Sequence, residues 1–253
     1  MLELNAICKR YRESIVVDDV TLRIPEGGIT ALIGPNGAGK STLFSMISRL
    51  LPPSSGQVLL DKSDVTRMDS RKLAKQLAVL RQDNHLPMKL TVRDLVAFGR
   101  HPHSQGRLTK DDEFFIKRAI TYMHLDHLAD RYLDEMSGGE RQRAFVAMVL
   151  CQDTEYVLLD EPLNSLDIKQ SVSMMKTLRR AADELGKTLI IVLHDINFAS
   201  CYADHIIAMR QGKVAFQGES EALMRPDVLS AIYDTPMAVH DIQGARICVF
   251  YEG

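Results

Sequence analysis

The stretch GPNGAGKS, residues 34–41, fits the spacing G-x-x-x-x-G-K-[ST] and constrains the fold more than any other part of the chain. Glycines at these positions let the backbone curl so that successive N–H groups point inward at phosphate oxygens. Lys40 adds a cation that reaches the β- and γ-phosphates, and the hydroxyl of Ser41 can serve Mg²⁺. Such a loop belongs between a strand and a helix, because the helix turns its positive end toward the same anion. Both neighbours are legible. ITALI (29–33) is a short apolar β-like run, and a helical pattern covers Lys40 to Leu51. With average residue frequencies, four fixed positions match by chance in a chain this long roughly 1% of the time.

Strand and helix patterns alternate along much of the rest. LELNAICKRY (2–11) and SIVVDDVTLRI (14–24) alternate apolar and polar residues, as strands with one buried face do, and GQVLL (56–60) adds another. From about Asp83 to Gln152 the pattern is mostly helical. Thr91-x-x-Asp94 opens TVRDLVAFGR as a capping box, DDEFFIKRAITYM follows, and Ser137 precedes GGERQRAFVAMVLC. Strands YVLL (156–159) and TLIIVL (188–193) flank a helix from about Ile168 to Leu185. A hairpin then turns at Gln211-Gly212, and the tail holds a short helix near residues 219–232 and a last hairpin, MAVHDIQGARICVF. Alternation of this kind predicts an α/β fold around a parallel sheet. The expectation is a core of about residues 1–84 and 153–253, with a helical subdomain of about 85–152 inserted.

Composition narrows the function classes. At 253 residues the chain can bury a full core, and 45% hydrophobic with 25% charged residues is ordinary for a globular protein. The net charge is −2 and no block of five or six like charges occurs, so no nucleic-acid partner is signalled. Cys8, Cys151, Cys201 and Cys248 are scattered without a CxxC pair, a spacing that suits a reducing cytosol. The opening MLELNAICKRYRES lacks the apolar core of a signal peptide. Runs such as Phe145–Cys151 and Leu189–Leu193 fall far short of the roughly 20 residues that span a bilayer.

Four polar positions share one property. Gly34 follows ITALI, Gln82 follows LAVLR, Asp160 follows YVLL and His194 follows TLIIVL, so each lies at or just past the carboxyl end of a core strand. Ligands of open α/β sheets bind along that edge, where loops and helix N-termini converge. Asp160 can hold Mg²⁺ and Glu161 can polarise an attacking water. Alone, Asp-Glu-Pro after a strand would more often be a helix start; beside a phosphate loop the two carboxylates have evident work. In SGGER (137–141), Ser137 and Glu140 fit a capping box, while Gly138 and Gly139 are poor helix formers. Their absent side chains suit a helix N-terminus that an anion approaches.

With these motifs in this order, the chain from Tyr11 to about Gly218 resembles the nucleotide-binding subunit of ATP-binding cassette (ABC) transporters. GPNGAGKST resembles the Walker A loop and YVLLDEP the Walker B strand. Gln82 matches the glutamine of the Q-loop and His194 the switch histidine. LNSLD (163–167) looks like the D-loop, with Asn164 where small residues are more usual. MSGGE departs from the commonest signature, LSGGQ, at Met136 and Glu140. The resemblance implies a P-loop NTPase (RecA-like) core with an N-terminal antiparallel β region and an inserted α-helical subdomain. It also implies an ATPase using Mg²⁺, with Gly34, Pro35, Asn36, Gly37, Ala38, Gly39, Lys40, Ser41, Thr42, Gln82 and Asp160 on ATP and Tyr11 stacked on adenine. Ser41, Gln82 and Asp160 would hold Mg²⁺. Glu161, His194 and Lys40 would be catalytic, and Ser137, Gly138, Gly139, Glu140 and Asp167 would reach ATP from a second subunit.

One nucleotide domain without a membrane span implies that the permease is another chain, as in prokaryotic importers, with a substrate-binding protein completing the assembly. The expected place is peripheral, on the cytoplasmic face of the inner cell membrane. VRDLVAFGRHPH (92–103) resembles the helical-lobe segment of subunits serving iron–siderophore, haem and cobalamin importers, and DEPLNSLDIKQSVSMM looks closest to iron–siderophore members. The alternative is a soluble cassette ATPase of a machine such as iron–sulfur cluster assembly. His101 and His103, around a proline in an expected loop, read as solvent-exposed or contact residues rather than metal ligands. Met46, Met174 and Met175 read as core filling.

Overall fold

Apolar alternation at the start of the chain builds two paired strands, β1 (Leu2–Tyr11) and β2 (Ser14–Ile24). The structure, a computed structural model, describes residues 1–82 and 89–251. After the two strands come β3 (Gly28–Ile33), α1 (Lys40–Ile47), β4 (Ser55–Leu60), β5 (Ser63–Asp64), α2 (Ser70–Ala74) and β6 (Leu77–Leu80). A helical stretch holds α3 (Val92–Phe98), α4 (His101–Ser104), α5 (Lys110–Tyr122) and α6 (Gly138–Cys151). Then follow β7 (Tyr156–Asp160), α7 (Ile168–Leu185), β8 (Thr188–Val192), α8 (Ile196–Tyr202), β9 (His205–Arg210) and β10 (Lys213–Glu219). The tail is α9 (Ser220–Leu223), α10 (Pro226–Tyr233), β11 (Ala238–Ile242) and β12 (Ala245–Val249). Contacts divide the chain into two compact units, Met1–Met68 with Thr188–Gly253, and Asp69–Lys187. A boundary near residue 84, expected from the sequence, lies outside the described residues.

In the first unit, β1 pairs antiparallel with both β2 and β4. The register Leu2↔Ile24 and Leu4↔Leu22 puts these four side chains in the core. It slips at Ala6 and Asp19, where φ turns positive, as β-bulges allow. β3 pairs parallel with β8 and with β9, and β10 closes the edge as an antiparallel hairpin with β9. Ile29, Ala31, Leu32 and Ile33 are all buried, as are the five residues of β8. Parallel strands are covered on both faces, so they read as apolar runs and not as alternation.

The second unit contains the parallel pair β6–β7 and helices α2 to α7. Capping boxes at Thr91–Asp94 and Thr109–Asp112 start α3 and α5. Helix α7 buries Met174, Met175, Leu178, Ala181 and Ala182 along one stripe and ends on the left-handed Gly186. Buried Arg100 donates to Asp112 at 2.9 Å and to Cys151 O at 3.0 Å, and lies 4.1 Å over the Phe115 ring. Met46, in the first unit, is a core residue like Met174 and Met175.

Several expectations are corrected. Helix α1 stops at Ile47, not Leu51, because Arg49 adopts φ 58° and the chain folds back ahead of Pro52. The single helix near 219–232 is two, since Pro226 begins its own first turn in α10. His101 and His103 lie in a short helix rather than a loop, with His103 Nε2 3.0 Å from Gln152 O. Burial and the Arg100 charge hold the His103 imidazole below its usual range, so it donates to that carbonyl as a neutral ring. Strand β5 and helices α2 and α8 are too short to show in periodicity. Among the described residues, no helix is long and apolar enough to cross a membrane.

Candidate functional site

In the first unit the phosphate loop leaves β3 and enters α1 through three glycines with positive φ: Gly34 at 138°, Gly37 at 77° and Gly39 at 99°. Two of them are also required by close approach. A Cβ on Gly34 would stand 2.2 Å from Met209 O, and one on Gly39 2.7 Å from Val16 O. Gly37 meets nothing and contributes only its backbone freedom. Lys40 is 5% exposed, and its Nζ donates to Gly34 O at 2.7 Å and Pro35 O at 3.0 Å. A buried ammonium needs such partners. The contacts hold the cation against its own loop, in which Asn36 and Gly37 are exposed. Ser41 is exposed in the first turn and Thr42 half-buried.

His194 lies at the same edge. Leu32 pairs with Val192, Leu193 N–H donates to Leu32 O at 3.1 Å, and Gly34 and His194 each follow their paired residue by two. The parallel register of β3 and β8 therefore brings the phosphate loop and the histidine out side by side. Tyr11 ends β1 with 48% of its surface exposed, and Lys9 Nζ is 5.3 Å from its ring centroid.

In the second unit the same logic operates on β6 and β7. Leu80 pairs with Leu159, and Gln82 and Glu161 each follow by two. Asp160, the last residue of β7, is buried. Gln82 Nε2 donates to Glu161 Oε2 at 2.8 Å, and Asn164 Nδ2 donates to the same oxygen. Glu161 adopts φ 52°, and its carbonyl accepts from Asn164 N–H at 3.1 Å. A non-glycine residue in the left-handed region is held there by its surroundings, and here a tight turn does so. Asn164 as a partner of this carboxylate was not legible beforehand. The only signal was its i+3 spacing, which becomes a contact once Glu161 turns left-handed.

The N-terminus of α6 carries the capping box as expected. Glu140 N–H donates to Ser137 Oγ at 3.3 Å, while Ser137 N–H and Oγ donate to Glu140 Oε2 at 2.9 and 2.8 Å. These Ser137 donors hold the Glu140 carboxyl below the usual carboxylate range. The glutamate thus points back at its own backbone. The two glycines differ. A Cβ on Gly138 would meet only Ser165 O at 3.9 Å, but one on Gly139 would run into Gln170 Oε1 at 2.1 Å. Gly138 leaves the helix entrance clear, and Gly139 admits Gln170 from α7. Asp167 caps α7, accepting from Gln170 N–H at 2.7 Å.

Comparison with known proteins gives consistent relatives. Residues 17–164 match the ABC transporter family. The chain is 47% identical over 251 residues to the petrobactin import ATP-binding protein YclP of Bacillus subtilis (strain 168), covering 99% of this chain and 100% of that protein. It is 52% identical over 239 residues to the petrobactin import ATP-binding protein FatE of Bacillus anthracis, covering 94% and 96%. A chain of a metal-chelate type ABC transporter in an inward-facing conformation superposes with TM-score 0.84 over 98% of this chain and 96% of that one; at 22% identity this is a likeness of fold. The cassette MJ0796, solved as a dimer in a post-hydrolysis state with ADP and Pi, gives TM-score 0.77 at 27% identity, covering 87% and 99%.

Proposed function

The chain belongs to the ABC transporter family, it binds and hydrolyses ATP, and from that premise we propose that it powers an importer of iron–siderophore complexes. The observation that carries the catalytic reading is the contact of Gln82 with Glu161 at 2.8 Å, a carboxylate positioned just past the end of a fully buried parallel strand. The siderophore class is supported by the likeness to two petrobactin import ATP-binding proteins along nearly their whole length.

Each residue has a role in hydrolysis. The backbone N–H groups of the loop 34–42, all but that of Pro35, which has none, and the Lys40 ammonium hold the β- and γ-phosphates, and Tyr11 stacks on the adenine. Glu161 takes a proton from the attacking water as its oxygen bonds to the γ-phosphorus, and the bond to the bridging oxygen breaks with its electron pair leaving on ADP. His194 contacts the γ-phosphate. Ser41, Gln82 and Asp160 offer a hydroxyl, an amide and a carboxylate, the hard donors that suit Mg²⁺. Donation from Gln82 Nε2 to Glu161 fixes the amide so that its oxygen is the end that serves a cation. The ion, when bound, neutralises charge on the phosphates.

A second copy of the chain completes the site, with Ser137, Gly138, Gly139, Glu140 and Asp167 closing on the partner's ATP. Support comes from the dimeric MJ0796 cassette and from Ile168, which stands 83% exposed directly after Asp167. Because ATP binds the closed pair better than the open one, closure and reopening drive a multi-span permease between conformations. The residues around 92–103 face that permease, at the cytoplasmic side of the inner membrane, and a substrate-binding protein delivers the chelate.

The test is co-purification of the tagged chain with a polytopic membrane protein, followed by ATP-dependent uptake of an iron–siderophore complex into proteoliposomes. Uptake of that complex supports the reading. Capture of soluble iron–sulfur assembly proteins alone, with no uptake, would replace the importer by a soluble machine.

A further inference from the structure

The turn Gln211-Gly212 between β9 and β10 belongs to none of the motifs above, yet it touches the phosphate loop. Gly212 N–H donates to Ala38 O at 3.0 Å, and Gly212 O accepts from Asp18 N–H at 2.9 Å. One residue of the turn therefore ties the loop to β2. The approach is close on both sides. A Cβ on Gly212 would stand 2.8 Å from Val16 O, and a Cβ on Gly39 would stand 2.7 Å from that same oxygen. Gly212 also holds φ 80°, a conformation that side-chain-bearing residues resist.

Strand β2 is paired with β1, and the register Tyr11↔Ser14 and Lys9↔Val17 places Tyr11 at the end of the hairpin that Val16 and Asp18 belong to. Lys9 Nζ donates to Pro52 O at 2.7 Å while lying over the Tyr11 ring, a second tether on the same hairpin. The Tyr11 hairpin and the phosphate loop are thus joined through the backbone of Gly212.

We propose that Gly212 is a positioning residue that sets the spacing between the Tyr11 platform and the phosphate loop, so that the two grip a nucleoside triphosphate as one ligand. This rests on the reading of Tyr11 as the adenine platform. Two subsites held at a fixed distance bind a two-ended ligand with an advantage that neither end has alone, and a changed spacing removes that advantage. A ligand with only the phosphate end does not sense the spacing.

The test uses calorimetric titration of the full chain with Mg²⁺–ATP and with Mg²⁺–tripolyphosphate. The variants are Gly212→Ala, Gly212→Asn, whose residue type tolerates left-handed backbone, and Tyr11→Ala. In a Gly212 variant that is still folded at the titration temperature, ATP affinity should fall about tenfold, with tripolyphosphate changed less than about twofold. Equal loss of both ligands would mean that the turn only props the loop, and unchanged ATP affinity would mean that it does nothing for binding; either overturns the proposal. So does loss of the fold in both Gly212 variants, which would make the turn a folding element. A Tyr11→Ala variant that binds ATP as tightly as wild type would instead remove the adenine reading, an outcome distinct from the others.

Discussion

Gln82 Nε2 donates to Glu161 Oε2 at 2.8 Å, tying the residue two past the end of one strand to the residue two past its paired partner on the next. The carboxylate proposed to activate water is thus held by a side chain from the neighbouring strand. Glu161→Gln keeps the shape and removes the proposed base. Phosphate release should fall by at least about a hundredfold while calorimetric ATP affinity stays within about twofold. Rapid turnover in this variant would assign the water to another group.

Asn164 donates to the same oxygen from the far side of a left-handed turn. Asn164→Ala should lower turnover by about tenfold through lost orientation, with ATP affinity unchanged. Steady-state kinetics check it: a change in KM alone would move Asn164 from aiming the carboxylate to binding nucleotide.

Lys40 contributes a buried ammonium already held by two loop carbonyls. Lys40→Ala removes the proposed charge-assisted contact to phosphate and should weaken ATP binding by about ten- to a hundredfold. Fluorescent-nucleotide titration measures it, and equal affinity in the variant would refute the role.

Two glycines with similarly short Cβ clashes should behave differently. At Gly34 the obstacle is the backbone carbonyl of Met209 at 2.2 Å with φ 138°, and nothing can give way. At Gly139 it is the far end of the Gln170 side chain, which can rotate, and alanine is a better helix former. Gly34→Ala should cost about 3 kcal/mol or more, and Gly139→Ala about 1 kcal/mol or less. Melting temperatures give the comparison directly, with about 2–4 °C per kcal/mol at this size.

The Arg100–Asp112 pair is buried on both sides. Burial pushes the Asp112 carboxyl up, but donation from Arg100 and from Thr109 outweighs it and holds the group below its ordinary value of 3.8. The charged form is therefore favoured by folding. Its contribution is fully present above pH 3.8 and is lost as pH falls through the lower folded value. Asp112→Ala should cost about 3 kcal/mol at neutral pH, because it strands a buried guanidinium. In thermal melts from pH 7 to pH 2, the gap between wild type and variant should narrow only below pH 3.8; a constant gap would remove the ion pair as its source.

By itself the sequence determined what depends on neighbours in the chain. The curl of residues 34–41 follows from glycine spacing, the capping boxes at Thr91 and Ser137 from i to i+3 contacts, and β3, β7 and β8 from short apolar runs of the kind that buried parallel strands use. The tertiary structure decided what depends on pairing between distant residues. Register alone puts His194 beside the phosphate loop and Gln82 against Glu161, because a parallel pairing fixes which residues leave a sheet together. The partner of Asn164, the use of Gly139 by Gln170 and the joint at Gly212 were equally hidden, since each is a close approach between backbones or side chains with no trace in local periodicity. Residue type is written along the chain, but the distance between two residues far apart in it is set only when the strands between them are packed.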